Sequence, residues 1–328
     1  MVDGRHPHAR QPGAERTTPA LIHRALNRPA VTVVVVHRDA PDAFARTVDR
    51  LRHQDVDLSL IVVDNASDPA ALAAVRTAAP DAEIVRSATN LGFGPALNVG
   101  LRRWLRRGVG EWVAVAPHDA LPDGGVIARL VDAGAGRSRA GLVSADVGDQ
   151  AVPRIDRYFG AIWGPATVSG GWDDCDYPHG TLFVARRECL AQIGIFDERY
   201  FAYNDEADLG ARARARGWEV GLVRSAMVAN PSTATPTWIV DYLRTRNTVL
   251  LVRDHGGRWP MTVRLVMGVG QTLHHLLRPR LRAPWFVPAA RFRGLADALR
   301  GRFGPPPPRR QATSPPSTAA SRGRTLTR

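Results

Sequence analysis

Six residues, Val31-Thr32-Val33-Val34-Val35-Val36, restrict this chain more than any other stretch. All but Thr32 are valine, and a β-branched run without polar alternation suits a strand buried on both faces. Such a strand needs cover on both sides and long crossovers to its parallel neighbours. The following residues supply them. The spacing of Phe44, Val48 and Leu51 predicts a helix over 43–52. A second buried strand is expected at 58–63, a helix from about 69, and a short strand at 83–85. This βαβαβ order predicts an α/β sheet, mixed but mostly parallel, with helices on both faces and ligand sites at the carboxyl ends of its strands.

The pattern continues. Pro95 suits a first helical turn, Leu97, Leu101, Trp104 and Leu105 form its apolar stripe, and Gly108 ends it. A strand at 112–116, a helix at 125–133 and a strand at 141–144 follow. Residues 150–177, rich in Gly, Trp, Asp and Tyr, predict a long functional loop. Beyond it come a strand at 181–185, a helix at 188–193, a helix at 209–216 closed by Gly217, short strands at 220–223 and 226–228, and a helix at 241–254. The domain read from this pattern spans 29–257. It is preceded by a disordered basic arm (1–28) and followed by amphipathic helices (258–303) and a disordered tail (304–328).

Charge narrows the function classes. The formal net charge is +13, and all 44 basic residues are arginine. An excess of this size favours anionic partners such as nucleotide phosphates or acidic lipid headgroups. No basic–aromatic nucleic-acid module is present and the arginines are dispersed, which excludes nucleic acid as the expected partner. The two cysteines, Cys175 and Cys189, make neither a disulfide framework nor a zinc site, so a reducing compartment is expected. No apolar N-terminal leader is seen. No run reaches the roughly 18 apolar residues of a spanning helix.

Polar residues gather where the strands end. Asp64 and Asn65 suit hydrogen bonds to a nucleoside, or a helix cap. The glycines of 90–100 suit close approach to a pyrophosphate, or an ordinary turn. Asp119 suits a divalent cation bridging two phosphates, because hard cations take oxygen ligands. Asp205, Glu206 and Asp208 lie on a loop leading into a helix. There they fit either first-turn capping, with Asp208 pairing Arg212, or a general base with a second orienting acid. In the loop 150–177, Trp163, Trp172, Asp173 and Asp174 suit a sugar, or ordinary loop packing.

Together these pieces resemble the family-2 glycosyltransferases of GT-A (Rossmann-like) fold, in their bacterial rhamnosyltransferase-like branch. The resemblance rests on Val63-Asp64-Asn65-Ala66-Ser67, Asn90-Leu91-Gly92-Phe93-Gly94 through Gly100, His118-Asp119-Ala120, Gly180-Thr181-Leu182-Phe183, Phe196-Asp197-Glu198, Tyr203 through Leu209, Arg212, Gly217-Trp218 and Arg246-Asn247. It covers about 31–255, and its specificity lies in the ordered set. It implies inverting sugar transfer from a nucleoside diphosphate to a hydroxyl of a glycan or lipid-linked acceptor, in envelope or polysaccharide synthesis. The donor would lie on His37, Asp64, Asn65, Asn90, Gly92, Asn98 and Asp119. Trp172, His179, Gly180 and Arg246 would bind the acceptor. By register Glu206 is the base, with Asp205 and Asp208 beside it. Asp119 would hold Mn²⁺ or Mg²⁺. A cytoplasmic protein, peripheral on the inner face of the plasma membrane, is implied, with a homodimer as an open alternative. Three departures stand out. Pro117 replaces the first metal-site residue, the usual Glu-Asp pair reads Asp205-Glu206, and Asn230 takes the place of a histidine. They leave room for a catalytically degenerate member acting as a binding partner.

Overall fold

The valine run forms strand β1 (Ala30–His37). The computed structural model describes residues 30–167, 171–230 and 235–307, and it shows why the run is unbroken. Val31, Val33 and Val35 enter one core with helices α1 (Pro41–Leu51), α2 (Pro69–Ala78) and α4 (Val126–Ala135). Val34 and Val36 enter a second core, against α3 (Gly94–Arg107), α5 (Arg187–Ile193) and α6 (Asp205–Ala215). Each fully buried valine contributes about 1.5 kcal/mol or more, so both faces of the strand are committed to burial.

The sheet order is β3 (Glu83–Arg86), β2 (Asp57–Asp64), β1, β4 (Trp112–Pro117), β10 (Phe183–Arg186), β6 (Ala140–Asp146), β11 (Glu219–Ala229) and β5 (Leu121–Pro122). Strand β9 (Trp172–Asp174) pairs with β11 off this path. Strands β1 to β4, β6 and β11 run the same way, and β10 is inserted antiparallel between β4 and β6. The register sets His37 beside Asp64, Asp64 beside Arg86, and Val36 beside Pro117. Four strands therefore end level, and their last residues share one edge.

Four expectations change. The loop predicted at 150–177 contains a β-hairpin, β7 (Ala151–Asp156) and β8 (Gly160–Pro165), followed by β9. Its alternation is masked in the sequence by Pro153, Gly160 and Gly164. The two strands predicted around 220–228 are one, β11, with a register irregularity between Val223 and Met227. There Arg224 turns inward to Asp146 and Asp173, at 3.2 and 2.8 Å, and interrupts the apolar pattern. The acidic residues do not precede a helix. Asp205 opens α6, and all three acids lie in its first turn.

The fourth change concerns the C-terminal helices α7 (Thr237–Gly256), α8 (Arg258–Leu277) and α9 (Pro288–Leu299). α9 packs back onto α7. Gly294 lies so close that an added Cβ would come within 2.8 Å of the Tyr242 carbonyl oxygen. Asp297 accepts from the Tyr242 hydroxyl at 3.0 Å, and Arg291 reaches Asp241 at 2.9 Å. Gly304 donates to the Arg199 carbonyl at 2.7 Å, which pins the chain where the tail was expected to begin. The expected basic arm, 1–28, and the tail from 308 lie outside the described residues. No described helix is long and apolar enough to cross a membrane.

Candidate active site

At the level strand ends, His37 is fully buried. Its Nδ1 lies 3.4 Å from Asp64 Oδ1 and 3.2 Å from Ser67 Oγ, and its Nε2 accepts the Ala40 amide at 3.3 Å. An accepting Nε2 leaves the proton on Nδ1, so the ring is neutral. Burial pushes both His37 and His118 below the ordinary histidine range, and the two rings meet edge to face at 5.6 Å. Asp64 Oδ2 is buried without a hydrogen bond, and the Arg86 guanidinium stops 3.6 Å away. A buried acceptor in this state is expected to find a donor in a ligand. Ser67 and Arg86, which donates to the Ser67 carbonyl at 3.0 Å, were not anticipated. Arg86 ends β3 as Asp64 ends β2, so the strand-end rule would have found it.

Asn65, Asn90 and Asn98 are used internally rather than turned to a ligand. Asn65 donates to Asn90 Oδ1 and the Gly92 carbonyl, and accepts the Leu91 amide, at 2.8–3.0 Å. Asn90 Oδ1 also accepts the Gly92 amide. Asn98 clasps both backbone groups of Phe196, at 2.8 and 3.0 Å, and reaches Glu198. Close approach explains the glycines, but the approaching group is the chain itself. A Cβ at Gly92, whose φ is +92, would lie 2.0 Å from the Phe201 carbonyl oxygen. The Phe93 amide donates to that oxygen at 2.7 Å, and the Gly94 amide donates to Asp205 Oδ2 at 3.1 Å.

The loop that leads into the acids is strained. Phe201, Tyr203 and Asn204 each have φ 66, a left-handed conformation that non-glycine residues adopt at a cost of about 1–3 kcal/mol each. Asn247 holds it there, donating to the carbonyls of Tyr200, Ala202 and Tyr203 at 2.8–2.9 Å. Arg246 is buried beneath the same loop. It donates to Asn247 Oδ1 at 3.0 Å and to the Tyr200 carbonyl at 3.3 Å, so it supports the loop from below rather than facing an acceptor. No pattern in the sequence marks Asn247 as a clamp, because its three partners lie more than 40 positions away.

The three acids have separate surroundings. Asp208 is buried and fully engaged, by Arg212 at 2.8–2.9 Å and by His255 Nε2 at 2.9 Å. It behaves as a structural anchor. Asp205 is buried and carries the Gly94 contact. Glu206 is half-buried, and its carboxylate lies against Gly180, where an added Cβ would come 1.9 Å from Oε1. Burial first, and the adjacent Asp205 carboxylate second, hold Glu206 well above the ordinary carboxylate range. The wall beyond Gly180 is aromatic. The His179 amide donates to Ser144 Oγ at 2.8 Å. The half-exposed ring of Trp163 stands 5.5 Å from His179 and 6.3 Å from Tyr177. Trp172 is elsewhere, packed over Gly221 and under Arg137; Trp163 is the tryptophan on the Glu206 side.

Asp119 is the carboxylate that the resemblance assigns to a divalent cation. Asp119 is half-buried after β4 and makes no hydrogen bond or ion pair with the described residues. Asn230 gives its amide to Thr181 at 3.2 Å. Among the described residues no three His, Cys, Asp or Glu side chains gather as a metal site. This donor set fits a cation shared between one carboxylate and substrate phosphates, not a cage made by protein alone.

Residues 32–192 match the family model described as glycosyl transferase family 2. The match ends 13 residues before Asp205 (205 − 192). The chain is 26% identical to the N-acetylglucosaminyl-diphospho-decaprenol L-rhamnosyltransferase of Mycobacterium tuberculosis, over 69% of this chain and 85% of that one. It is similar in structure to the mannosyltransferase PcManGT from Pyrobaculum calidifontis, solved with GDP-Man and Mn²⁺. There the TM-score is 0.57 and the identity 18%, with 84% of this chain and 88% of that one covered. GalNAc-T7, solved with UDP, GalNAc and Mn²⁺, gives a TM-score of 0.52 at 13% identity, over 68% and 51%.

Proposed function

With residues 32–192 belonging to glycosyl transferase family 2, in a GT-A fold, we propose that the chain moves a sugar, rhamnose or a related hexose, from a nucleoside diphosphate to a hydroxyl of a lipid-linked saccharide, with inversion. The observation that carries this reading is Glu206: a carboxylate with a raised proton affinity, lodged against Gly180 beside an aromatic wall. A base whose pKa lies above the usual carboxylate range is better matched to a hydroxyl proton near neutral pH. In this reading the nucleoside lies on the β1–β4 edge and donates to Asp64 Oδ2. The acceptor saccharide packs on Trp163 and His179. Glu206 takes the acceptor proton as the hydroxyl oxygen bonds to the anomeric carbon, and the bond from that carbon to the diphosphate breaks on the opposite face. Asp205 keeps Glu206 basic, and Asp208 fixes the first turn of α6. Asp119 would hold a divalent cation, which when bound supplies charge neutralisation at the departing diphosphate. The decaprenol-linked acceptor in the name of the mycobacterial relative supports the lipid-linked acceptor; the proposal extends to envelope polysaccharide synthesis at the inner face of the plasma membrane.

The test is nucleoside diphosphate release from a panel of nucleotide sugars, with a lipid-diphosphate saccharide as acceptor and with Mn²⁺ or EDTA. Glu206→Gln should lower turnover by about two to four orders of magnitude, the range for loss of a general base, while donor affinity is kept. Full activity in Glu206→Gln would remove the assignment. Donor binding by the wild type without turnover on any acceptor would identify a degenerate member.

A further inference from the structure

Helix α8 has two unlike sides. Pro260, Gly268 and Thr272 are buried, and Met261 and Leu265 pack on Val249, Leu295 and Ala298 of α7 and α9. The other side carries Trp259, Val266 and Leu273, each seven residues from the next, with Val269, Leu276 and Leu277 beside them. All are exposed, Val266 to 70% and Leu277 to 83%. Seven residues are close to two turns, so these side chains form one stripe along a helix about 30 Å long. An uncovered apolar stripe of this length marks an interaction surface.

Charge says what covers it. Residues 258–303 hold nine arginines (258, 264, 278, 280, 282, 291, 293, 300 and 302) and one acid, Asp297. Asp297 is already engaged by Tyr242 and by Arg293. Arg258 opens the stripe, and Arg278 and Arg280 close it, both exposed. A second copy laid on this face would bring arginine-rich surfaces together with no free carboxylate between them. An anionic lipid surface offers both what the stripe lacks and what the arginines need.

We infer that α8 is an in-plane membrane helix, its apolar stripe sunk to the acyl boundary of an anionic leaflet and its arginines among the headgroups. The site then faces the same surface. The Arg157 carbonyl oxygen, in the β7–β8 turn, lies 3.4 Å from a Cβ built on Gly256, at the junction of α7 and α8. The hairpin so joined exposes Phe159, Ile162 and Trp163, and Trp163 is the ring beside His179. A lipid-linked saccharide would pass from the leaflet along this hairpin to Glu206. The docking face itself does not depend on the transfer reaction.

The test uses the full chain with vesicles of phosphatidylglycerol and phosphatidylcholine in equal parts, and with phosphatidylcholine alone. Wild type should sediment with the mixed vesicles, lose most binding in high salt, and bind the neutral vesicles weakly. Val266→Asp with Leu273→Asp should lower partitioning by about 100-fold. Arg278→Ser with Arg280→Ser should lower it by about tenfold. A serine pair at 266 and 273 serves if the aspartates disturb folding, which melting curves would reveal. Binding by the paired variants equal to wild type overturns the proposal, as does equal binding to neutral vesicles. A concentration-dependent dimer lost in Val266→Asp with Leu273→Asp, without vesicle binding, overturns it in favour of a second copy. Donor affinity, measured on the same variants, should stay unchanged, so failure here leaves the glycosyl-transfer reading intact.

Discussion

The strand-end edge and the acid loop make up the two halves of the proposed site, yet they are held by different means. At the edge, Asp64 and His37 close regular strands whose register is fixed by continuous pairing, and Asn65 and Asn90 complete the loop above them with ordinary hydrogen bonds. The acid loop has no such scaffold. Three non-glycine residues sit in left-handed conformations, two ionisable carboxyls are adjacent, and the arrangement holds only because Asn247, Arg246 and the Phe93 amide fasten it from two sides. The difference teaches where each kind of energy is placed. The edge is held by continuous strand pairing, with Asp64 Oδ2 alone left without a hydrogen bond, so changes there should be graded. The acid loop stores strain and charge repulsion, so small displacements should act abruptly.

The largest effect short of removing Glu206 is expected at Gly180. An alanine there must displace the Glu206 carboxylate, and a shift of about 1 Å in a reacting group costs on the order of 100-fold in turnover. Gly180→Ala should therefore lose turnover while calorimetry shows donor affinity intact. Unchanged turnover would mean that Glu206 works from another position.

A smaller, graded loss is expected at the edge. Asp64→Asn keeps the shape but removes the charge facing the nucleoside. About tenfold weaker donor binding follows from losing one charged hydrogen bond, with turnover at saturating donor retained. A collapse of turnover instead would erase the contrast between the two regions.

The smallest effect is a displacement of the pH profile. Glu206 must be ionised to act, so activity rises with pH through its raised pKa. The Asp205 carboxylate is one cause of that elevation. Asp205→Asn removes the charge, and the asparagine oxygen still accepts the Gly94 amide. The acid limb of kcat/KM should move to lower pH, with little change on the plateau. A limb that stays in place or moves upward would show that the two acids do not interact as their contact implies.

The same contrast explains what could be read in advance. The edge was legible because its signals are local: a valine run, strand lengths, and the polar residue that ends each strand. Glu206 is singled out in the sequence by register with a known pattern, and its role as base is the proposal to be tested. The strained loop was not, since nothing in Tyr200-Phe201-Ala202-Tyr203 announces left-handed backbone, and the clamp that enforces it lies in another helix. The internal bonds of Asn98 were hidden for a related reason: an amide looks the same whether its partner is a ligand or the Phe196 backbone 98 positions away. The return of α9 onto α7 was hidden in small residues, Ala290, Gly294 and Ala298, whose value lies in what they allow to approach.

The docking of Gly94 on Asp205 joins positions 111 residues apart, and that separation bears on how the chain reaches its working state. Contacts closing so long a loop are entropically late, whereas β1, α1 and β2 pair over short distances. The strand-end edge can thus form early and carry the proposed nucleoside surface with it. The carboxylates take their places only when α6 and α7 have folded against it. During synthesis the ability to hold a donor would come before the ability to consume it, and catalysis would be the last property this chain acquires.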